Sequence, residues 1–122
     1  MFTEDRRKLI VEQMNHLANN PNATIIFSDS AQPDNYVQFA GLYCEVSSRR
    51  WKKAKLPPLS PGQIDQLAAL GFTDPGGRKR KSANNLVREF TTTDLDIIPG
   101  IVEQCFQILD SHSNFDLSVQ LF

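Results

Sequence analysis

The stretch Tyr36-Val37-Gln38-Phe39-Ala40-Gly41-Leu42-Tyr43-Cys44-Glu45-Val46 decides the fold, together with Leu59-Ser60-Pro61-Gly62-Gln63 and Leu67-Ala68-Ala69-Leu70-Gly71-Phe72 behind it. Tyr36, Gln38 and Ala40 alternate with Val37 and Phe39. Leu42, Cys44 and Val46 alternate with Tyr43, Glu45 and Ser47, and Gly41 between the two runs marks a tight turn or bulge. A period of two predicts paired strands with one face buried. The later residues change period. Ser60 is an N-cap, Pro61 takes the first helical position and Gln63 completes a capping box. Ile64, Leu67, Ala68 and Leu70 form the inward face of this helix. Gly71 is its left-handed C-cap, and Phe72 packs back on the last turn.

Towards the N-terminus, residues 3 to 19 read as a helix, with Thr3 as N-cap and Glu4 and Asp5 at the positive end of its dipole. Ile10, Met14 and Leu17 recur at helical spacing. Residues 23 to 28 are β-rich, and 29 to 34 form a turn around Pro33. Three strands with short connections imply an antiparallel meander. Towards the C-terminus, residues 49 to 58 form a basic loop and 73 to 84 a second one. Residues 85 to 91 alternate as a fourth strand. Thr93 or Asp94 caps a last helix, which either bends at Pro99 or begins there. Phe115, Leu117, Val119 and Leu121 then alternate as a strand or arm, which joins the sheet edge or pairs with another copy. The expected fold is α+β, a twisted antiparallel sheet of four to five strands flanked by helices. The order is α-β-β-β-α-β-α with a terminal β, and residues 1–122 make a single domain.

At 122 residues the chain can bury enough surface to fold without metal or disulfides, and its eight Phe supply bulky core material. Cys44 and Cys105 lack any metal-ligand spacing and read as buried thiols of a reducing cytosol. The charged run from Glu4 to Lys8 argues against a signal peptide, and no apolar stretch approaches the roughly 20 residues of a membrane span. The expected location is cytoplasmic. Net charge is −1, but residues 49 to 88 carry ten basic residues against two acidic ones and the rest is acidic. Such a dipolar surface steers association with an oppositely charged partner or a second copy.

No nucleophile motif, zinc motif or P-loop is present. His16 and His112 stand apart from any catalytic neighbour, and Asp94 and Asp96 lie where capping explains them. No cofactor is expected and the chain reads as a non-enzyme. The basic segments carry the remaining chemistry. Arg49, Arg50, Lys52, Lys53 and Lys55 surround Trp51, and Arg78, Lys79, Arg80 and Lys81 follow the capped helix. Cations interleaved with an aromatic ring can grip phosphates and stack a base, so nucleic-acid binding through 49–55 and 78–81 is the alternative function.

Tyr36 to Ala40, Leu42, Glu45-Val46-Ser47, Leu59-Ser60-x-x-Gln63, Leu67-x-x-Leu70-Gly71-Phe72, Asn85 and Arg88-Glu89-Phe90 together resemble bacterial type III secretion chaperone-like domains, the TY-Chap and YbjN-like group. The resemblance covers roughly residues 20 to 110. It departs from the family pattern at Phe72, usually Trp, in the Arg78–Lys81 run and in the apolar C-terminal strand. It implies a twisted sheet flanked by helices, a homodimer, and a chaperone-like function exercised by binding a protein. The candidate partner-binding residues are Arg49, Arg50, Trp51, Lys52, Lys53, Arg78, Lys79, Arg80, Lys81, Phe115, Leu117 and Val119.

Overall fold

Period-two alternation becomes sheet and period-3.6 spacing becomes helix over most of the described chain. The structure, a computed structural model, describes residues 1–75 and 84–122. Its elements are α1 (Thr3–Asn19), β1 (Thr24–Asp29), β2 (Tyr36–Ala40), β3 (Tyr43–Val46), α2 (Pro61–Ala69), β4 (Leu86–Glu89), α3 (Ile98–Ile108) and β5 (Leu117–Leu121). The five strands form one antiparallel sheet in the order β4-β3-β2-β1-β5. This is the α+β fold and the element order that the sequence predicts.

The alternation sorts the sheet into two faces. Ile25, Phe27, Val37, Phe39, Cys44, Val46, Leu86 and Leu117 are buried on one face. They pack in a single cluster with Ile10, Met14 and Leu17 of α1, Leu67 of α2, and Ile98, Val102, Cys105 and Phe106 of α3. The opposite face, with Ile26, Tyr36, Gln38, Tyr43, Glu45, Val87, Ser118 and Gln120, has no fully buried side chain among the described residues. The helices therefore cover one side of the sheet only, an arrangement antiparallel sheets allow.

Turn chemistry fixes the strand pair. Gly41 has φ +58, and a Cβ there would stand 2.7 Å from the Pro21 carbonyl oxygen, so only glycine fits between β2 and β3. The capped helix forms as predicted. Ser60 Oγ accepts from Gln63 N–H at 3.2 Å, and Gln63 Oε1 accepts from Ser60 N–H at 2.9 Å. At its other end Gly71 (φ +88) donates to Ala68 O and Phe72 N–H to Leu67 O, a Schellman motif with Phe72 buried beneath it. Gln63 Nε2 also donates to Ile108 O at 2.8 Å and so ties α2 to the end of α3. Ser60→Ala is expected to lower the unfolding free energy by about 1 kcal/mol, read as a reduced urea midpoint with an unchanged slope.

Several local expectations are corrected. Thr3 is the first residue of α1 and Phe2 its N-cap; the Thr3 hydroxyl instead accepts from Arg6 Nη2 at 3.2 Å. Ala68 is exposed, because the short α2 lies at the margin of the core and buries only Leu67. The strand after the second loop is shorter than residues 85 to 91: Asn85 spends its side chain on Ser48 N–H and on the Tyr36 hydroxyl. A 3-10 turn at Thr92–Asp94 follows, held by Asp94 Oδ2 accepting from Thr91 N–H at 2.8 Å. Of the two alternatives for the last helix, a bend at Pro99 or a start there, the structure takes the start, so Thr93 and Asp94 do not cap it. It starts at Ile98 and holds Pro99 in its first turn, where the missing N–H costs nothing.

Candidate functional site

The basic loop after β3 holds the candidate partner-binding residues Arg49, Arg50, Trp51, Lys52 and Lys53. The structure divides it. Arg49 takes φ +55, a left-handed conformation that costs a non-glycine residue about 1 kcal/mol. Its side chain is 5% exposed. Nε and Nη2 donate to Asn35 Oδ1 at 3.1 and 2.7 Å, and Nη2 also donates to Leu109 O. Asn35 Nδ2 donates to the same carbonyl at 3.0 Å. A cation and an amide thus satisfy the free C-terminal carbonyl of α3, where the helix dipole favours positive charge. Burial pulls the Arg49 pKa down, while the nearby Asp110 and Asp34 carboxylates push it back up. Arg49 is an internal strut and is not presented to solvent.

Arg50 is likewise engaged, in a two-pronged ion pair with Asp74 at 3.1 and 2.7 Å. It fastens the loop to the segment after α2. Trp51 is half-buried, its ring centroid 5.8 Å from that of Tyr36 on the open face of the sheet. Tyr36 in turn accepts from Asn85, and burial raises its phenol pKa against the opposing effect of that bond. Lys52, Lys53 and Lys55 are exposed, although the backbone beneath them is anchored where Lys55 N–H and Leu56 N–H donate to Asp34 Oδ2. Arg78, Lys79, Arg80 and Lys81 lie outside the described residues.

The C-terminal candidates occupy a regular strand. β5 pairs with β1, Val119 opposite Phe27 and Leu117 opposite Asp29. Leu117 and Phe115 are each 7% exposed, so their side chains belong to the core of the molecule; Val119 is half-buried. Phe115 stacks on Phe106 with centroids 4.7 Å apart, beneath the Arg6 guanidinium at 4.2 Å.

The Arg6–Glu103 pair escaped the sequence reading. Arg6 Nε donates to Glu103 Oε1 at 2.8 Å and Oε2 at 3.2 Å. Nη1 donates to the carbonyls of Met1 and Phe115, and Nη2 to Thr3 Oγ1 and the Ser113 carbonyl. All five guanidinium N–H groups are used. One signal for it existed: Arg6 lies four residues before Ile10 and eight before Met14, on the apolar face of α1.

The pair borders a polar cleft of about 470 Å³ that also includes Gln107, Asp110, Ser111 and His112. The saturated guanidinium has no donor left for a bound anion. His112 Nδ1 accepts from Asn114 N–H at 3.1 Å. No buried side-chain polar atom lacks a partner among the described residues, and none of their His, Cys, Asp and Glu form a group of three able to hold a metal. The Cys44 and Cys105 thiols are buried, and burial pushes Cys105 up to about 12 and Cys44 well above its usual value. Neither is an activated nucleophile. Asp94 sits below the usual carboxylate range because it accepts from Thr91 N–H, as a capping group does. No helix among the described residues is long and apolar enough to cross a membrane.

No family model matches this chain, and no curated protein or solved structure matches it significantly.

Proposed function

We propose that this chain is a non-enzymatic protein-binding module of the type III secretion chaperone-like kind, a cytoplasmic bacterial protein acting as a homodimer on a further protein partner. The observation that supports it is the open face of the sheet. Tyr36 with Trp51, Ile26, Tyr43 and Val87 stand there beside Gln38, Ser118 and Gln120, with Glu45 between Gln38 and Val87, and all are half-buried or exposed. Protein interfaces favour Tyr and Trp, and this face supplies both. The rigid sheet beneath holds the face in shape, so little ordering is required on binding. The nucleic-acid reading loses Arg49 to the core and Arg50 to Asp74, which leaves Lys52, Lys53 and Lys55 in the first basic loop.

Ile26→Arg places a charge at the centre of this face on a residue already half-exposed. Co-purification from native lysate with mass spectrometry is expected to recover one protein partner with the wild type and to lose it with Ile26→Arg. Equal recovery by both, or salt-sensitive retention of nucleic acid alone, overturns the reading.

A further inference from the structure

We propose that the outer edge of β5 is the surface through which two copies of this chain pair, β5 against β5 in antiparallel register about a twofold axis at Val119. The proposal deepens the homodimer part of the reading above and rests on it. It starts from where the backbone groups of β5 point. Thr24 and Phe122 exchange two hydrogen bonds, at 3.2 and 2.9 Å, and Ser30 N–H donates to Asp116 O at 2.9 Å. Backbone groups alternate along an antiparallel strand. Asp116, Ser118, Gln120 and Phe122 therefore turn theirs towards β1. Leu117, Val119 and Leu121 turn their N–H and C=O groups outward, where no described residue meets them.

The edge is its own complement. The segment Leu117-Ser118-Val119-Gln120-Leu121 reads apolar, polar, apolar, polar, apolar in both directions. Antiparallel pairing centred on Val119 sets Val119 against its own copy, Leu117 against Leu121 and Ser118 against Gln120. Every outward N–H and C=O then finds a partner, about six bonds in all. The apolar positions of both strands meet on the helix-covered side, continuous with the core, and the polar ones on the open side. Leu121, 55% exposed, and Phe122, 74% exposed, border this edge. No charge lies between Leu117 and Phe122, and Asp116 would stand across from Phe122 rather than from its own copy. A foreign segment would have to match the same neutral pattern, whereas a second copy matches it by symmetry.

The two edges of the sheet differ in protection. At β4, Thr73 and Val87 exchange bonds at 2.8 Å, and Arg88 and Glu89 add charge. Bridging residues and charges are how proteins blunt an edge. Among the described residues no segment bridges the outer edge of β5, and Leu117–Leu121 carries no charge, no proline and no bulge.

Sedimentation velocity across a concentration series, with amide exchange at Val119, tests the proposal on the full chain. Leu121→Pro removes an outward N–H that the single copy does not use, yet deletes two of the bonds between copies and adds a clash. Val119→Lys opposes two ammonium groups at the axis. A dimeric wild type with a slowly exchanging Val119 amide, and loss of both properties in either variant with the circular dichroism spectrum retained, is the expected result. Should Val119→Lys fail to fold, Leu121→Pro at its exposed position decides alone. Dimeric variants with fast exchange at Val119 place the interface elsewhere and overturn this proposal, while the homodimer reading stands. A monomeric wild type overturns both. A monomer whose Val119 amide is protected only on addition of a different protein overturns it in favour of a foreign strand on the same edge.

Discussion

Arg6→Met is expected to lower the unfolding free energy by about 3 kcal/mol, at the lower end of the range for breaking a buried ion pair. The change leaves the Glu103 carboxylate, 7% exposed, without its cation. Three backbone carbonyls, of Met1, Ser113 and Phe115, also lose their donors. These groups border the cleft, where water can reach part of them, and that keeps the cost from the top of the range. The double variant Arg6→Met, Glu103→Met is expected to regain most of the loss, since it removes both charges and fills the volume with apolar atoms. Equilibrium urea unfolding of the two single variants and the double variant measures the coupling. An additive double variant would show that Arg6 matters through its carbonyl bonds and its contact with Phe115 alone. These bonds join α1 to the segment between α3 and β5, so the same residue sets where β5 begins.

This pair marks the division between what was legible in the sequence and what was not. Alternation at Tyr36–Ala40 and Leu42–Val46, and the Ser60-to-Phe72 helix, were legible because each is a local rule. Strand period, capping box and Schellman glycine all act within a few residues of one another. The fate of Arg49 was not. Its burial depends on Asn35 and on Leu109, 14 and 60 residues away, which meet it only once the sheet and α3 are in place. A run of cations reads as a solvated loop when nothing local contradicts it, and here the contradiction is entirely tertiary. The same holds for Arg50, paired with Asp74 across 24 residues. Of the C-terminal candidates, alternation identified the strand, but only the register with β1 shows that Phe115 and Leu117 are buried while the backbone edge stays open. The candidate surface thus shifts from the basic side chains to the open face and to the β5 backbone.

The second large effect falls at the centre of the sheet. Phe39 lies on the middle strand, fully buried between Ile25 and Cys44 on its neighbours. Its ring meets Phe27 edge-on at 6.0 Å and Phe90 at 6.1 Å, and Phe90 meets Phe72 at 6.4 Å. Four aromatic rings therefore run from β1 to the C-cap of α2. Phe39→Ala is expected to cost about 3–5 kcal/mol, the transfer free energy of the ring plus the cavity left between layers that cannot collapse. Phe39→Leu, which keeps most of the volume, should cost less than about 1.5 kcal/mol. A double-mutant cycle between Phe39 and Phe90 is expected to return a coupling of about 0.5–1.5 kcal/mol from ring contact beyond buried area. Tyr43→Ala on the opposite face, where the side chain is 42% exposed, should stay within about 0.5 kcal/mol of the wild type. If Tyr43→Ala costs more than Phe39→Ala, the assignment of inner and outer faces is inverted. The open face and the β5 edge pattern would then both have to be reassigned, because all five strands share one register.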